Sequence, residues 1–252
     1  MIVEYNRPKT LEEALDLLSC AQPVTIPMGG GSALNRYSLN PLAVVDLQEL
    51  PLHSIEHQGS SFILGATVTL QTMLDTPDLP EIMYKAIRQE ANHNLCQVAT
   101  LAGTLASAGG RSPMVTTLLA MDATLTTISR KGENTISLGD FLPVRGEYLP
   151  GRLITQVKLP TNLRLAFDYV ARSPADQPIV CAAVAQWPSK RTRVALGGYG
   201  KAPVLALDGP EPGGVEAAAQ NAYSQAGDVW ASADYRREVA GALARRCLAE
   251  LG

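Results

Sequence analysis

The chain has 252 residues, of which 46% are hydrophobic and only 5% are aromatic. This length suits one domain of two parts, or two small domains, with a sizeable core. The 21 Lys and Arg residues do not outnumber the 24 Asp and Glu residues. The chain therefore has no basic surplus for binding nucleic acid phosphates or an anionic membrane surface, and its apolar content argues against intrinsic disorder.

The cysteines are widely spaced at Cys20, Cys96, Cys181 and Cys247, and no two form a C-x-x-C pair. A disulfide framework or a metal site needs a denser pattern, so we predict buried thiols in a reducing compartment. No basic segment followed by an apolar run opens the sequence, and the longest apolar stretch, 179–185, is far shorter than the ~20 residues that cross a bilayer. These features predict a cytoplasmic protein.

The first 130 residues show clear signals for helices and strands. Thr10 and Glu13 form a T-x-x-E capping box ahead of an apolar stripe with helical spacing, and Ser112 followed by Pro113 marks the start of another helix. The predicted helices run over 11–18, 80–89 and 113–121. The predicted strands run over 24–26, 43–47, 62–70 and 125–129.

The pattern of predicted elements changes in the C-terminal part, and we place a subdomain boundary near residue 160. Two prolines and two glycines predict a loop over 143–151. The last element is a helix whose arginine pairs, Arg236–Arg237 and Arg245–Arg246, are predicted to lie mostly on a solvated face. Strands that fit an antiparallel sheet are predicted at 167–172, 179–187 and 193–198.

The strongest local feature is Gly29-Gly30-Gly31-Ser32, which directly follows a predicted strand. Consecutive glycines let the backbone approach a ligand and take positive φ, so successive N–H groups can point at one anion. Ser32 adds a hydroxyl donor. The same residues are also compatible with an ordinary flexible turn, so the pattern alone leaves both readings open.

A second run of small residues extends from Ala99 to Gly110 and ends at the predicted helix that Ser112 caps. Small side chains permit close backbone contact, and a helix N-terminus favours negative charge, although tight helix packing explains such a run equally well. Two such loops in one chain suggest two walls of a diphosphate site. Neither fits G-x-G-x-x-G or the P-loop pattern, so Rossmann and Walker sites are rejected.

No set of residues in the sequence supports a catalytic or a metal site. His53 and His57 lie four residues apart, but outside a predicted helix and without a third ligand nearby. No G-x-S-x-G elbow occurs, and no Cys–His pair fits a nucleophile and its base. We therefore assign no catalytic residue and no metal ligand.

A series of segments occurs in an order that is specific to one family. The segments are YNRPKTLEEA at 5–14, MGGGS at 28–32, VDL at 45–47, LGATVT at 64–69, ATLAGTLA at 99–106, LLAMDA at 118–123, Gly197-Gly198 with Pro203, and SADYRR at 232–237. Over nearly its whole length the chain resembles the FAD-binding medium subunit of molybdenum hydroxylases of the xanthine dehydrogenase and carbon monoxide dehydrogenase type. Its two glycine loops are similar to the family's A-G-G-x-[DS] and A-T-I-G-G-N-L-A.

The resemblance implies an α+β fold in two parts. Residues 1–160 would form a two-lobed, PCMH-like FAD-binding domain, with lobes of about 1–52 and 53–160 and FAD between them. Residues 161–252 would form a C-terminal α+β subdomain, a small antiparallel sheet with helices.

The resemblance also implies which residues bind FAD. Backbone N–H groups of 29–32 and 100–104 would hold its pyrophosphate, and Gly30→Val is expected to weaken FAD binding sharply while leaving folding largely intact. The implied cofactor-binding residues are Ile26, Pro27, Met28, Gly29, Gly30, Gly31, Ser32, Ala33, Leu34, Thr100, Ala102, Gly103, Thr104, Ala108, Gly109, Ile154 and Asp168.

The family's medium subunit carries FAD, whereas molybdopterin and iron–sulfur clusters lie only on partner subunits. The resemblance therefore implies an electron-transfer subunit of an oxidoreductase, which relays electrons from iron–sulfur clusters to an external acceptor. The implied partners are a molybdenum-binding large subunit and a two-iron iron–sulfur small subunit, with no nucleic acid and no membrane.

The sequence departs from the family pattern at four positions. Ala102 replaces a glycine, Thr104 replaces an asparagine, Pro113 falls where relatives carry an acidic motif, and Asp168 lies near a position that is basic in relatives. An FAD-free scaffold or assembly relative that kept the fold is therefore the alternative hypothesis. An autonomous flavin oxidoreductase is a third, although the sequence offers no acid–base pair for substrate chemistry.

Overall fold

The computed structural model describes residues 1–20, 22–34 and 40–252. Its strands are β1 Ile2–Asn6, β2 Val24–Met28, β3 Leu42–Asp46, β4 Ile55–Gln58, β5 Ser61–Gly65, β6 Thr124–Ser129, β7 Gly132–Ser137, β8 Arg152–Pro160, β9 Arg164–Val170, β10 Val180–Gln186, β11 Thr192–Gly197 and β12 Val204–Gly209. Its helices are α1 Leu11–Leu18, α2 Leu70–Asp75, α3 Glu81–Glu90, α4 His93–Cys96, α5 Leu101–Ser107, α6 Pro113–Ala120, α7 Leu138–Tyr148, α8 Val215–Ala222 and α9 Ala233–Glu250. This combination of sheets and helices confirms the predicted α+β class.

The chain forms two compact units that alternate along the sequence. Unit 1 comprises residues 1–75, 93–107 and 124–158, and unit 2 comprises residues 76–92, 108–123 and 159–252. The lobes and the subdomain expected from the sequence are continuous stretches with boundaries near residues 52 and 160, and these boundaries stay predictions. In the structure, each unit is assembled from three separate segments.

The first sheet of unit 1 is parallel, in the order β1-β3-β2, with β3 buried at its centre. Helix α1 contacts β2 and β3 and begins as predicted. The hydroxyl of Thr10 accepts the Glu13 N–H at 3.2 Å, while the Glu13 carboxylate accepts the Lys9 N–H at 2.9 Å. The predicted Thr10 cap is therefore confirmed, whereas the Glu13 carboxylate bonds the N–H one residue before the cap and not that of Thr10 itself.

The second sheet of unit 1 has the order β4-β5-β8-β6-β7. The strand predicted over 62–70 is wrong beyond Gly65, where β5 ends. A Cβ at Gly65 would lie 2.2 Å from the carbonyl oxygen of Leu52, and the Thr67 N–H donates to that same oxygen at 2.8 Å. This close backbone contact turns the chain, and α2 begins at Leu70.

The loop predicted over 143–151 is also wrong, because α7 continues through Pro143 to Tyr148. Pro143 lacks the N–H that would bond the carbonyl four residues earlier, which normally disfavours a helix interior. Leu138, Phe141 and Leu142 are buried on this helix. The apolar area that they remove from water outweighs the local cost of the proline.

Unit 2 is built on an antiparallel sheet in the order β12-β11-β10-β9, which confirms the three predicted strands and adds β12. Ala182 and Val184 of β10 belong to the core shared with α8 and α9. The thiol of Cys181 instead contacts the Thr116 hydroxyl of α6 at 3.6 Å. Strand β10 is therefore covered on both faces, which explains its unbroken apolar sequence.

The prediction for Arg236 is wrong, because this side chain is fully buried rather than solvated. Its guanidinium pairs with the carboxylate of Asp228 at 2.8 Å. It also donates to the carbonyl oxygens of Ala226 at 2.7 Å, Ile179 at 3.2 Å, Ala231 at 3.3 Å and Gly198 at 3.4 Å. A buried charge is tolerated only with such partners, so Arg236 fixes α9 to β10, β11 and the loop before it.

Three of the cysteines are buried as predicted, whereas Cys20 is exposed at the end of α1. All four are free thiols. In the described ranges of the chain, no helix combines the length and the apolar character needed to cross a membrane.

Asp46 at the end of β3 holds a polar cluster that joins β1 to β3. Its side chain is 1% exposed, and it accepts hydrogen bonds from the Tyr5 hydroxyl, from the Arg7 guanidinium at 2.7 Å and from the Gln48 N–H at 3.0 Å. Burial raises the pKa of Asp46, but these hydrogen bonds outweigh burial and hold the pKa below its usual value.

We predict that this cluster makes the protein acid-sensitive. Because the pKa of Asp46 is lower in the folded chain than in the unfolded chain, the unfolded chain binds the proton first, and the stabilisation is lost as pH falls below about 4. In urea titrations, the free energy of unfolding of wild type should exceed that of Asp46→Asn most at about pH 6–7. This difference in free energy should shrink towards about pH 3. Glu12→Gln, at an exposed carboxylate of α1, is the control, and a difference that stays constant with pH would contradict the prediction.

Candidate functional site

The first glycine loop follows β2, the strand at one edge of the parallel sheet. In this strand Ile26 pairs with Val44 and Pro27 with Val45. Pro27 has no N–H to give to a further strand, which suits its place on an edge. The sequence predicted that the glycines follow a strand directly, and this is confirmed, since β2 ends at Met28.

The loop itself is a tight turn. Gly31 has φ +70°, in the left-handed region that glycine adopts without steric cost. The Leu34 N–H donates to the Gly31 carbonyl at 3.0 Å and closes the turn, which leaves Ser32 and Ala33 exposed at its tip. A defined turn, rather than a flexible linker, therefore presents this segment.

The backbone N–H groups of Gly29, Gly30, Gly31 and Ser32 have no acceptor among the described residues. Backbone donors are normally satisfied inside a protein or by water. Four successive unsatisfied donors in a glycine turn form the kind of concave, electropositive backbone that binds anions. The residues present therefore fit a diphosphate group.

The second glycine segment lies directly against the first. A Cβ at Gly29 would be 2.4 Å from the Thr100 hydroxyl, and a Cβ at Gly30 would be 1.5 Å from the carbonyl oxygen of Val98. The two segments that the sequence placed on one site are therefore brought together within unit 1. The expectation that Gly30→Val leaves folding largely intact is wrong, because a side chain at this position would overlap the Val98 backbone.

The backbone of the second segment is occupied by the protein itself. Residues 101–107 form helix α5 rather than the loop that was expected, and Thr100 caps it. Its N–H groups donate internally, from Leu101 to Val68 at 2.8 Å, from Ala102 to Ala66 at 3.1 Å, from Gly103 to the Thr100 hydroxyl at 3.2 Å and from Thr104 to the Thr100 carbonyl at 2.8 Å. These N–H groups therefore already have acceptors within the chain, and the role of residues 100–104 toward a pyrophosphate stays a prediction.

The side chains of this segment remain candidates for the site. The Thr104 hydroxyl donates to the Thr100 carbonyl at 2.9 Å and keeps its lone pairs as acceptors. Ala102 lies inside α5 and has no positive φ, so the methyl that replaces the family's glycine is accommodated. The roles of Thr100, Ala102, Gly103 and Thr104 toward a cofactor stay predictions.

Ile154 connects to this segment through the backbone. It is buried on β8 opposite Thr127. The carbonyl of the next residue, Thr155, accepts the Ala66 N–H at 3.0 Å, and the Ala66 carbonyl accepts the N–H of Ala102. Strand β8 is thereby tied to the start of α5, and a contact of Ile154 with FAD stays a prediction.

The three remaining predicted residues, Ala108, Gly109 and Asp168, belong to unit 2. The Asp168 carboxylate pairs with Arg246 of α9 at 2.6 Å and accepts the Tyr169 N–H at 2.9 Å. Gly109 is exposed, and its carbonyl accepts the Ser112 N–H at 3.3 Å. Their roles toward FAD stay predictions, and the structure supplies a local partner for the acidic side chain.

Sequence analysis missed Glu90, which occupies the N-terminus of α6. Its carboxylate accepts the Ser112 hydroxyl at 2.6 Å and the Met114 N–H at 3.0 Å. Burial raises the pKa of Glu90. The helix start that the sequence offered as an anion site is thus filled by the chain's own carboxylate, and no short-range pattern links two residues so far apart.

A groove of about 730 Å³ opens in unit 2. It is lined by residues 161–164, 186–188, 190 and 211–212. None of the predicted cofactor-binding residues belongs to it. The candidate site is therefore defined by the contact between the two glycine segments and not by this groove.

Comparison with known proteins gives consistent matches along the chain. Residues 1–162 match the family described as the FAD binding domain in molybdopterin dehydrogenase. The nicotine 6-hydroxylase medium subunit of Paenarthrobacter nicotinovorans is 30% identical over 277 residues, covering 99% of this chain and 97% of that protein. The uncharacterized protein YgfM of Escherichia coli strain K12 is 28% identical over 250 residues, covering 96% and 94%.

Solved structures show the same fold. Reconstituted CO dehydrogenase from Oligotropha carboxidovorans superposes with a TM-score of 0.82 at 22% identity, covering 98% of this chain and 96% of the matched chain.

We predict that Gly30→Ala is strongly destabilising, because even one methyl group would overlap the Val98 carbonyl and force the two segments apart. The free energy of unfolding, measured with urea, should fall by more than the roughly 1–3 kcal/mol that is typical of overpacking. Gly146→Ala in α7 is the matched control, since a Cβ there meets nothing within 4 Å and should stabilise by about 0.5–1 kcal/mol. Equal stabilities of the two variants would show that the segments do not contact.

Proposed function

Because the chain belongs to the family of FAD binding domains in molybdopterin dehydrogenases, we propose that it binds FAD through residues 29–32 and relays electrons between a partner subunit and an external acceptor. The chain is thus a component of an oxidoreductase. In this proposal the electrons come from iron–sulfur clusters on the partner, and the substrate is oxidised on another subunit. The external acceptor completes the relay.

One observation carries the proposal: the backbone donors of the first segment have no acceptor in the part of the chain that the structure describes, whereas those of the second do. The N–H groups of Gly29 to Ser32 would donate to the diphosphate. Thr100 would support that turn from behind, since its hydroxyl lies only 2.4 Å from the position that a Cβ at Gly29 would take. Thr104 of α5 would offer only the acceptor lone pairs of its hydroxyl, because the hydroxyl proton already donates to the Thr100 carbonyl.

When bound, the flavin supplies the capacity to take up electrons from one protein and pass them to another acceptor. The task of this chain is to bind and orient it. Backbone N–H donors suit that task because they recognise the diphosphate charge without a mobile side chain, so little conformational entropy is lost on binding.

The proposed partners are a molybdenum-binding large subunit and a two-iron iron–sulfur small subunit. The relatives support this, because the nicotine 6-hydroxylase protein is named a medium subunit and the carbon monoxide dehydrogenase protein of Afipia carboxidovorans a medium chain. The FAD-free scaffold is the alternative, and it draws on Pro113 and on the Glu90 carboxylate that occupies the start of α6.

The visible spectrum of the purified chain, with and without added FAD, decides between these hypotheses. We expect the paired absorption bands of oxidised flavin and saturable uptake of FAD. Hydrogen bonds to a charged group contribute about 1.5–3 kcal/mol each, so two of them should make FAD bind at least about 100-fold more tightly than riboflavin. No uptake of FAD would favour the scaffold, and equal affinities would refute the diphosphate loop.

Gly31→Ala tests the loop without a steric clash. Its Cβ would make only ordinary contact with Met28 at 3.5 Å, but φ +70° is unfavourable for alanine and should shift the turn. We predict that the dissociation constant for FAD rises about tenfold while stability falls by about 1–2 kcal/mol.

Gly59→Ala provides the matched control for this variant. Gly59 has φ +59° in the turn between β4 and β5, with nothing within 4 Å of a Cβ. It should lose a similar amount of stability and keep its FAD affinity, as measured by fluorescence titration. A parallel loss of affinity in both variants would mean that general destabilisation is the cause.

A further inference from the structure

An exposed apolar pair on unit 2 has no covering within the described chain. Val229 is 94% exposed and Trp230 is 43% exposed, and they follow one another in the loop before α9. Isolated exposed apolar residues are common on proteins. This pair differs because of what holds it and what surrounds it.

The loop that carries the pair is rigidly fixed. The Asp228 carboxylate accepts the N–H groups of Trp230 at 2.8 Å and Ala231 at 3.2 Å, and it pairs with the buried Arg236 at 2.8 Å. The Asp228 N–H in turn donates to the Ala231 carbonyl at 3.0 Å. The conformation of Val229 and Trp230 is thus set before any partner arrives, which lowers the entropy cost of binding.

Two arginines lie against the indole of Trp230. The guanidinium carbons of Arg111 and Arg172 are 4.4 Å and 4.6 Å from its ring centroid, within the range of cation–π attraction. Arg111 is held further by donating to the carbonyl oxygens of Pro178, at 2.8 Å, and Gln177. The aromatic ring is therefore fixed between groups of like charge.

Within the ranges that the structure describes, no carboxylate forms an ion pair with Arg111 or Arg172. Asp176 and Asp228 are the acidic groups that act on Arg111, and Asp228 is already paired with Arg236. Like charges held close together repel, so an external carboxylate would be favourable here.

We propose that Arg111, Arg172, Val229 and Trp230, the Arg–Trp surface, dock this chain onto another protein subunit of its complex. The matching face offers an apolar socket for Val229 and Trp230, bordered by carboxylates for the arginines. Trp and Arg are the residue types that most often dominate interface energies. A small anion would neutralise the arginines but leave Val229 in water, so the observations favour a protein. This inference rests on the proposed function, which gives the chain its partner subunits.

The test measures assembly of the whole chain with the subcomplex of its large and small partner subunits. The double variant Val229→Asp/Arg172→Glu should raise the dissociation constant at least about 30-fold, as expected for a central interface cluster. Increasing salt from roughly 50 to 500 mM should weaken binding of wild type more than that of Arg172→Glu.

The matched control is Val204→Asp/Arg88→Glu, which changes an exposed valine of β12 and an exposed arginine of α3. The dissociation constant of this control for the subcomplex should stay within about threefold of the wild-type value. Both double variants should take up FAD like wild type, which shows that they are folded and leaves the first part of the proposed function intact.

Each other outcome overturns the inference. Equal assembly of wild type and the Val229/Arg172 variant would place the docking surface elsewhere, while the proposed function stands. Failure of wild type itself to bind the subcomplex would contradict the proposed function as well. If the chain alone sediments as a dimer that the variant abolishes, the surface binds a second copy and not a partner subunit.

Discussion

The candidate site depends on one steric constraint, the absence of side chains where two backbone segments meet. Gly30 approaches the Val98 carbonyl so closely that a Cβ would overlap it, and Gly29 does the same with the Thr100 hydroxyl. This contact does two things at once. It places the turn of residues 29–32 on a rigid base, and it leaves the outward N–H groups of that turn free for a ligand. The glycines therefore act mainly by allowing the two segments to pack closely, and this packing in turn positions the N–H groups of the turn.

The two segments divide the work between them. The second segment uses all its N–H groups from Leu101 to Thr104 inside the protein and so forms the fixed wall. The first keeps its donors available. The start of α6 is similar, because its Met114 N–H donor is also satisfied within the chain, by the Glu90 carboxylate. The chain thus satisfies its own polar groups at two of the places that looked open in the sequence, and at the third the donors have no acceptor among residues 1–20, 22–34 and 40–252.

Much of this could be predicted from sequence, because local signals coincide with the structure. The Thr10 cap of α1, the Ser112–Pro113 start of α6 and the strand that leads into the glycines are confirmed. The failures have a common cause, which is tertiary contact. Pro143 is helical because its neighbours are buried, Arg236 is buried because distant carbonyls surround it, and α5 replaces a loop because its first N–H groups find acceptors at Ala66 and Val68. Cys20 is exposed despite the general tendency of free thiols to be buried.

The alternation of the two units along the chain has a consequence for biosynthesis. The segments 76–92 and 108–123 leave the ribosome well before 159–252, the rest of the unit to which they belong. The apolar faces of these segments, including the fully buried α6, must therefore wait for strands β10 to β12, which lie later in the chain. Such long sequence separations slow folding, and apolar surface that is exposed in the meantime is prone to aggregation, which chaperones counter.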